Sequence, residues 1–132
     1  MRRFYDRHAA TLGVTSAQWR ALKWLVREPG IKQVELADRL DVEPITACRI
    51  IDRLEESGFV ERQRDPADRR AWRIAVTPKA EPLIQKLRAL AEEMSGQAFA
   101  GFDEDDIATL RSALARVRDN VTRAEANKRE SA

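Results

Sequence analysis

A chain of 132 residues with 43% hydrophobic and 35% charged residues is sized for one helix-rich domain, and it holds no run of about twenty apolar residues that could span a bilayer. Its net charge of +2 is too small to imply a polyanion partner, so only local clustering of charge could do so. A single cysteine, Cys48, and a single histidine, His8, leave no internal disulfide and no metal-ligand spacing.

The chain opens on a helical stretch of about ten residues that Gly13 breaks. Phe4, Tyr5, His8, Trp19 and Trp24 gather near this end. At helical spacing such aromatics pack as core, although a wall of a binding cleft has the same composition. No cleavable leader pattern opens the sequence, and a cytoplasmic location is the expectation.

From Gln33 to Thr77 the pattern becomes specific: two short amphipathic helices, a turn, a strand, an arginine-rich tip and a second strand. That order predicts a winged helix-turn-helix, which reads double-stranded DNA. The second helix is expected to start at Glu43 or Pro44 and to stop at Gly58, since proline suits the first helical position. Ala47, Ile50, Ile51 and Leu54 recur as its apolar face, leaving Ile45, Thr46, Arg49 and Arg53 opposite. Arginine there can bond guanine O6 and N7, and Thr46 or Ile45 can touch a thymine methyl.

Residues 59–64 and 71–76 alternate as half-buried strands around the turn Asp65-Pro66-Ala67-Asp68-Arg69-Arg70. Five arginines, Arg62, Arg64, Arg69, Arg70 and Arg73, stand against Asp65 and Asp68, so this hairpin carries 5 − 2 = +3, more than the whole chain. Pairing of Asp65 or Asp68 with Arg70 would brace the tip while Arg69 points outward into a narrow minor groove. Arg62, Arg64 or Lys79 are expected on phosphates, and Thr46 and Arg49 on bases.

A helix capped by Thr77 and started by Pro78 follows, with Leu83, Ile84, Leu87, Leu90, Ala91 and Met94 on its apolar face. After it, Ile107, Leu110, Leu114, Val117, Val121 and Ala124 form a seam in steps of three and four, close to three heptads. Asp103 can cap this last helix; Asp105 and Asp106 suit its start, and Arg116, Arg118 and Arg123 lie toward its end. A monomeric three-helix core would need a long N-terminal partner, which the segment before Gly13 does not offer, so pairing with a second copy is expected.

These residues resemble the MarR/SlyA family of transcriptional regulators. The likeness rests on Leu12-Gly13-Val14-Thr15-Ser16-Ala17-Gln18-Trp19, on residues 34–42 and 51–62, and most specifically on residues 65–80, DPADRRAWRIAVTPKA. It covers nearly the whole chain and implies a mainly α fold with a small β-hairpin wing. Residues 15–79 would form the DNA-binding part, 1–12 and 80–126 the dimerisation helices, and 127–132 a disordered tail. It further implies a homodimer on a pseudo-palindromic operator, acting as a repressor released by a small aromatic or anionic ligand. By that resemblance Tyr5, Arg7, His8, Trp19 and Arg20 would belong to the ligand cleft, with Arg7 or Arg20 facing a carboxylate. The family's first helix usually starts some fifteen to twenty residues earlier, and this chain departs from it there.

Two alternatives stay open. A winged helix can serve as a protein-interaction module, for which the second helix would present an apolar or acidic face. A thiol-based redox regulator could act through Cys48, at the edge of the reading helix's buried face, although the family's peroxide sensors carry their cysteine near the N-terminus. Catalysis has no Gly-rich phosphate loop and no nucleophile-base pair to rest on, and no cofactor is implied.

Overall fold

A computed structural model describes residues 3, 7 and 10–131, so Phe4, Tyr5 and His8 lie outside the described residues. The chain divides into two units, Met1–Leu90 and Ala91–Ala132.

The first unit is built on three short helices, α1 (Ser16–Arg27), α2 (Gln33–Leu40) and α3 (Pro44–Glu56), followed by a hairpin of β1 (Val60–Arg64) and β2 (Trp72–Val76). Helix α1 starts where Thr15 Oγ1 accepts the Gln18 N–H at 3.1 Å and Gln18 Oε1 accepts the Thr15 N–H at 2.9 Å. This reciprocal cap stabilises the helix start by about 1 kcal/mol. It gives the Thr-Ser-Ala-Gln segment a structural role that the sequence reading did not assign.

Helix α2 ends on Asp41, which adopts the left-handed conformation (φ 55°). The Arg20 guanidinium donates to the Leu40 carbonyl at 3.2 Å and closes that same end. After a three-residue turn, Pro44 occupies the first turn of α3, as its fixed φ favours. Helix α3 ends in a Schellman motif: Gly58 N–H reaches the Glu55 carbonyl, Phe59 N–H reaches the Leu54 carbonyl, and Gly58 takes φ 80°.

The strands pair antiparallel with Val60 opposite Val76, Arg62 opposite Ile74 and Arg64 opposite Trp72, which sets those six side chains on one face. A third rung comes from the segment before α2, where Ile31 O accepts the Ile74 N–H at 3.0 Å and Lys32 bridges Arg73. The hairpin is thereby tied to the helices, which an isolated two-stranded sheet needs in water.

The centre of the core is drawn from α1, α2, α3 and β2: Leu22, Leu25, Leu36, Ile51, Leu54 and Ile74 are fully buried. Trp19 belongs to it at 3% exposure, the outcome expected of an aromatic at helical spacing. Pro78–Ala80 form a 3-10 turn that leads into α4 (Glu81–Ala98), whose Leu83, Ile84 and Leu87 are also buried. The Thr77 hydroxyl does not cap this helix; it donates to the Gly58 carbonyl, since the chain must turn tightly against the end of α3.

The second unit holds the last turns of α4 and α5 (Glu104–Ser131). Phe99 and Phe102 meet edge to face at 5.9 Å in the connection. Asp103 Oδ1 accepts the Asp106 N–H at 2.8 Å and Asp106 Oδ2 accepts the Asp103 N–H at 3.2 Å, so the expected cap is a reciprocal one. Residues 127–131, expected as a disordered tail, continue α5. Lys128, Arg129 and Glu130 there are strong helix formers, and Lys128 and Arg129 suit the negative end of the dipole. Helix α5 has no buried residue among its 28, and its Leu110, Leu114, Val117 and Val121 are exposed. Among the described residues, no helix is long and apolar enough to cross a membrane.

Candidate nucleic-acid interface

The outward face of α3 carries Ile45, Thr46, Arg49 and Arg53, all exposed, while Ala47, Ile51 and Leu54 are buried against the core. Arg49 and Arg53 form no side-chain hydrogen bond or ion pair among the described residues, so both guanidinium forks are available. Ile45 is 61% exposed at the start of the same helix, an apolar group left uncovered among the described residues. Asp52, Glu55 and Glu56 are exposed on α3 as well, so the helix is not uniformly basic.

The hairpin arginines divide into two sets. Arg69 and Arg70, at the tip, are exposed with no side-chain partner among the described residues. Arg62, Arg64 and Arg73 are engaged inside the chain. Arg64 lies over the Trp72 ring at 4.1 Å, across the strand pair, and donates to the Arg69 carbonyl at 2.6 Å. It stiffens the tip more than it reaches out from it.

Arg73 sits 2.9 Å from Asp65 Oδ2 and donates to the Gly30 carbonyl at 2.8 Å. Asp65 is turned inward, 2% exposed, where its Oδ1 accepts the Ala67 and Asp68 N–H groups at 2.7 and 3.2 Å. Lys32 stands 3.8 Å from its other oxygen. The Ala67 N–H holds the Asp65 carboxyl below the usual carboxylate range; burial opposes this, and the Asp68 N–H, Arg73 and Lys32 add to it. The expected pairing with Arg70 is therefore not made by Asp65, and Asp68 meets only the Arg70 backbone N–H, at 3.0 Å. The turn aims Asp65 inward beside the rungs nearest the tip, where Arg73 is a nearer cation than Lys32.

Arg62, expected on a phosphate, is 13% exposed and points back between β1, α2 and α3. Its guanidinium meets Asp52 at 2.7 Å, Glu55 at 3.0 Å, Gln33 Oε1 at 2.9 Å and the Cys48 carbonyl at 3.1 Å. Burial works against its charge, but the hydrogen bonds and charges of Asp52 and Glu55 outweigh it and raise its pKa above the ordinary value. Lys79, the other expected phosphate contact, donates to the Ser57 carbonyl at 2.8 Å and lies over Phe59, closing the end of α3. A sequence signal for Arg62 exists in strand parity: it shares a face with buried Val60 and lies opposite Ile74.

Of the residues expected at a ligand cleft, Trp19 is packed in the core and Arg20 is bonded to the end of α2, while Arg7 is exposed. Tyr5 and His8 lie outside the described residues. Cys48 is half-buried with Sγ 3.6 Å from Arg62 Nη2. No group of three or more His, Cys, Asp or Glu that could hold a metal occurs among the described residues.

Comparison with known proteins bears on this geometry. A family model described as the MarR family matches residues 14–72, from just before α1 to the first residue of β2. The chain is similar to a crystal structure of MarR, 36% identical, over 96% of this chain and 86% of that one, at a TM-score of 0.82. It is similar to a MarR transcriptional regulator from Methanosarcina mazei Go1, 30% identical, over 93% and 88% of the two chains, at 0.84. A mutant MarR from E. coli complexed with operator DNA is 26% identical over 88% and 84%, at 0.76.

Proposed function

Because the chain belongs to the MarR family of DNA-binding transcriptional regulators, which are not enzymes, we propose that it acts as a homodimer on a two-fold operator. In this reading α3 lies in the major groove and the hairpin tip in the neighbouring minor groove. The observation that carries it is the division of the arginines. Among the described residues, Arg49 and Arg53 on α3 and Arg69 and Arg70 at the tip are exposed with unengaged guanidinium groups, while the remaining hairpin arginines brace the scaffold between them.

Thr46, Arg49 and Ile45 supply base contacts on α3, and Arg53 supplies a phosphate or base contact. Arg69, with Arg70 beside it, supplies the minor-groove cation. Pairing along α5 is supported by a seam of exposed Leu110, Leu114, Val117 and Val121 on a helix with no fully buried residue among the described residues. Two copies of α3 about 34 Å apart would then meet successive turns of one duplex face. Such a dimer represses by occupying the duplex it covers.

Selection from random-sequence duplex DNA tests the reading. The expected outcome is a two-fold logo with half-sites about one helical turn apart. Recovery of no preferred duplex would instead favour the winged helix as a protein-interaction module.

A further inference from the structure

We infer that Arg62 is a positioning residue for duplex reading, holding the wing hairpin at a fixed angle to α3 without touching DNA itself. The inference rests on the proposed reading that α3 and the hairpin tip engage one duplex together.

Base readout by α3 and cation insertion by the tip succeed together only if the two elements keep one relative orientation. One side chain reaches all of the elements concerned. From β1, Arg62 donates through Nε to Gln33 on α2 at 2.9 Å, and through Nη2 to the Cys48 carbonyl on α3 at 3.1 Å. Its Nη1 meets Asp52 at 2.7 Å and Glu55 at 3.0 Å, and its backbone N–H donates to the other Glu55 oxygen at 3.0 Å. Every edge of the guanidinium is used, and the side chain is only 13% exposed. A planar fork with five donors can serve these directions at once; a lysine ammonium cannot.

The same contact alters the charge that α3 shows. The helix carries Arg49 and Arg53 against Asp52, Glu55 and Glu56, a balance of 2 − 3 = −1. Arg62 binds two of those three carboxylates. Its loss would therefore loosen the hairpin and also leave two acids uncompensated on the helix that approaches the phosphates.

The test uses the full chain and a duplex recovered by the wild type from random-sequence DNA. Arg62→Gln and Arg62→Lys are each expected to weaken binding by about tenfold or more, as lost hydrogen bonds to a charged group imply. The slope of log affinity against log salt stays at the wild-type value, because no phosphate contact is removed. Adding Asp52→Asn to Arg62→Gln recovers part of the loss. A slope shallower by about 1 makes Arg62 a phosphate contact and overturns the inference. So does wild-type affinity in the lysine variant, which also carries the test should the glutamine variant fail to fold. Amide hydrogen exchange gives a readout free of DNA: Val60–Arg64 and the middle of α3 exchange faster in Arg62→Lys, and unchanged protection overturns the inference alone. A wild type that recovers no duplex overturns the duplex reading itself, which is a different failure from a chain that binds DNA but is indifferent to Arg62.

Discussion

Replacing Leu114 with alanine asks whether the exposed seam of α5 is an interface between two copies. Leu114 is 58% exposed in the single chain. Burying a whole leucine side chain contributes about 2 kcal/mol, so covering the exposed part of this one contributes roughly 1 kcal/mol. In an isologous pair each substitution acts in both copies, which brings the loss to about 2 kcal/mol. At ~1.4 kcal/mol per decade the dimer Kd should rise roughly thirtyfold. Sedimentation equilibrium over a concentration series reads this directly. Alanine is a better helix former than leucine, so circular dichroism should show α5 intact and separate lost association from lost helix. A wild type that sediments as a monomer at micromolar concentration, or a variant with unaltered Kd, would refute the pairing.

Other substitutions probe the reading head and its supports. Gly58→Ala places a Cβ 3.2 Å from Lys79 Cδ at a residue with φ 80°, and should destabilise the fold by about 1–2 kcal/mol in chemical denaturation. Arg49→Ala should relax the selected sequence at one position per half-site and cost about 1–3 kcal/mol there. Arg69→Ala should weaken binding most on duplexes with a narrow A·T minor groove, and an equal loss on all sequences would argue against insertion. Asp65 has a folded pKa below its ordinary value, so its contribution to stability is complete above about pH 4 and is lost as pH falls through the folded value. The stability gap between wild type and Asp65→Asn should therefore be constant near neutrality and close in acid, and a gap that persists at low pH would count against a charged role.

Most of the architecture was legible because its signals are local. Pro44, Gly58 and Asp103 mark helix ends through their own backbone preferences, and the apolar spacing of Ala47, Ile51 and Leu54 needs no tertiary information. Which arginines reach outward was much less legible. Arg62 and Arg69 look alike in composition, yet one meets carboxylates on α3 and the other meets none. That difference depends on how the hairpin packs against a helix several residues earlier in the chain, and only the shared parity of Val60 and Arg62 hinted at it. Lys79 and Arg20 were obscured for the same reason, since capping a helix end from a distant element leaves no mark in spacing. Continuation of α5 past residue 126 was missed because the final residues lack an apolar face, although Lys128, Arg129 and Glu130 are good helix formers.

Methylation interference on the selected duplex tests the placement of the two probes in the grooves most directly. Guanine N7 methylation, in the major groove, should block binding at two clusters one helical turn apart, and adenine N3 methylation, in the minor groove, should block it just outside them. Interference confined to one cluster, or minor-groove interference lying between the clusters, would contradict an α3 pair flanked by arginine tips.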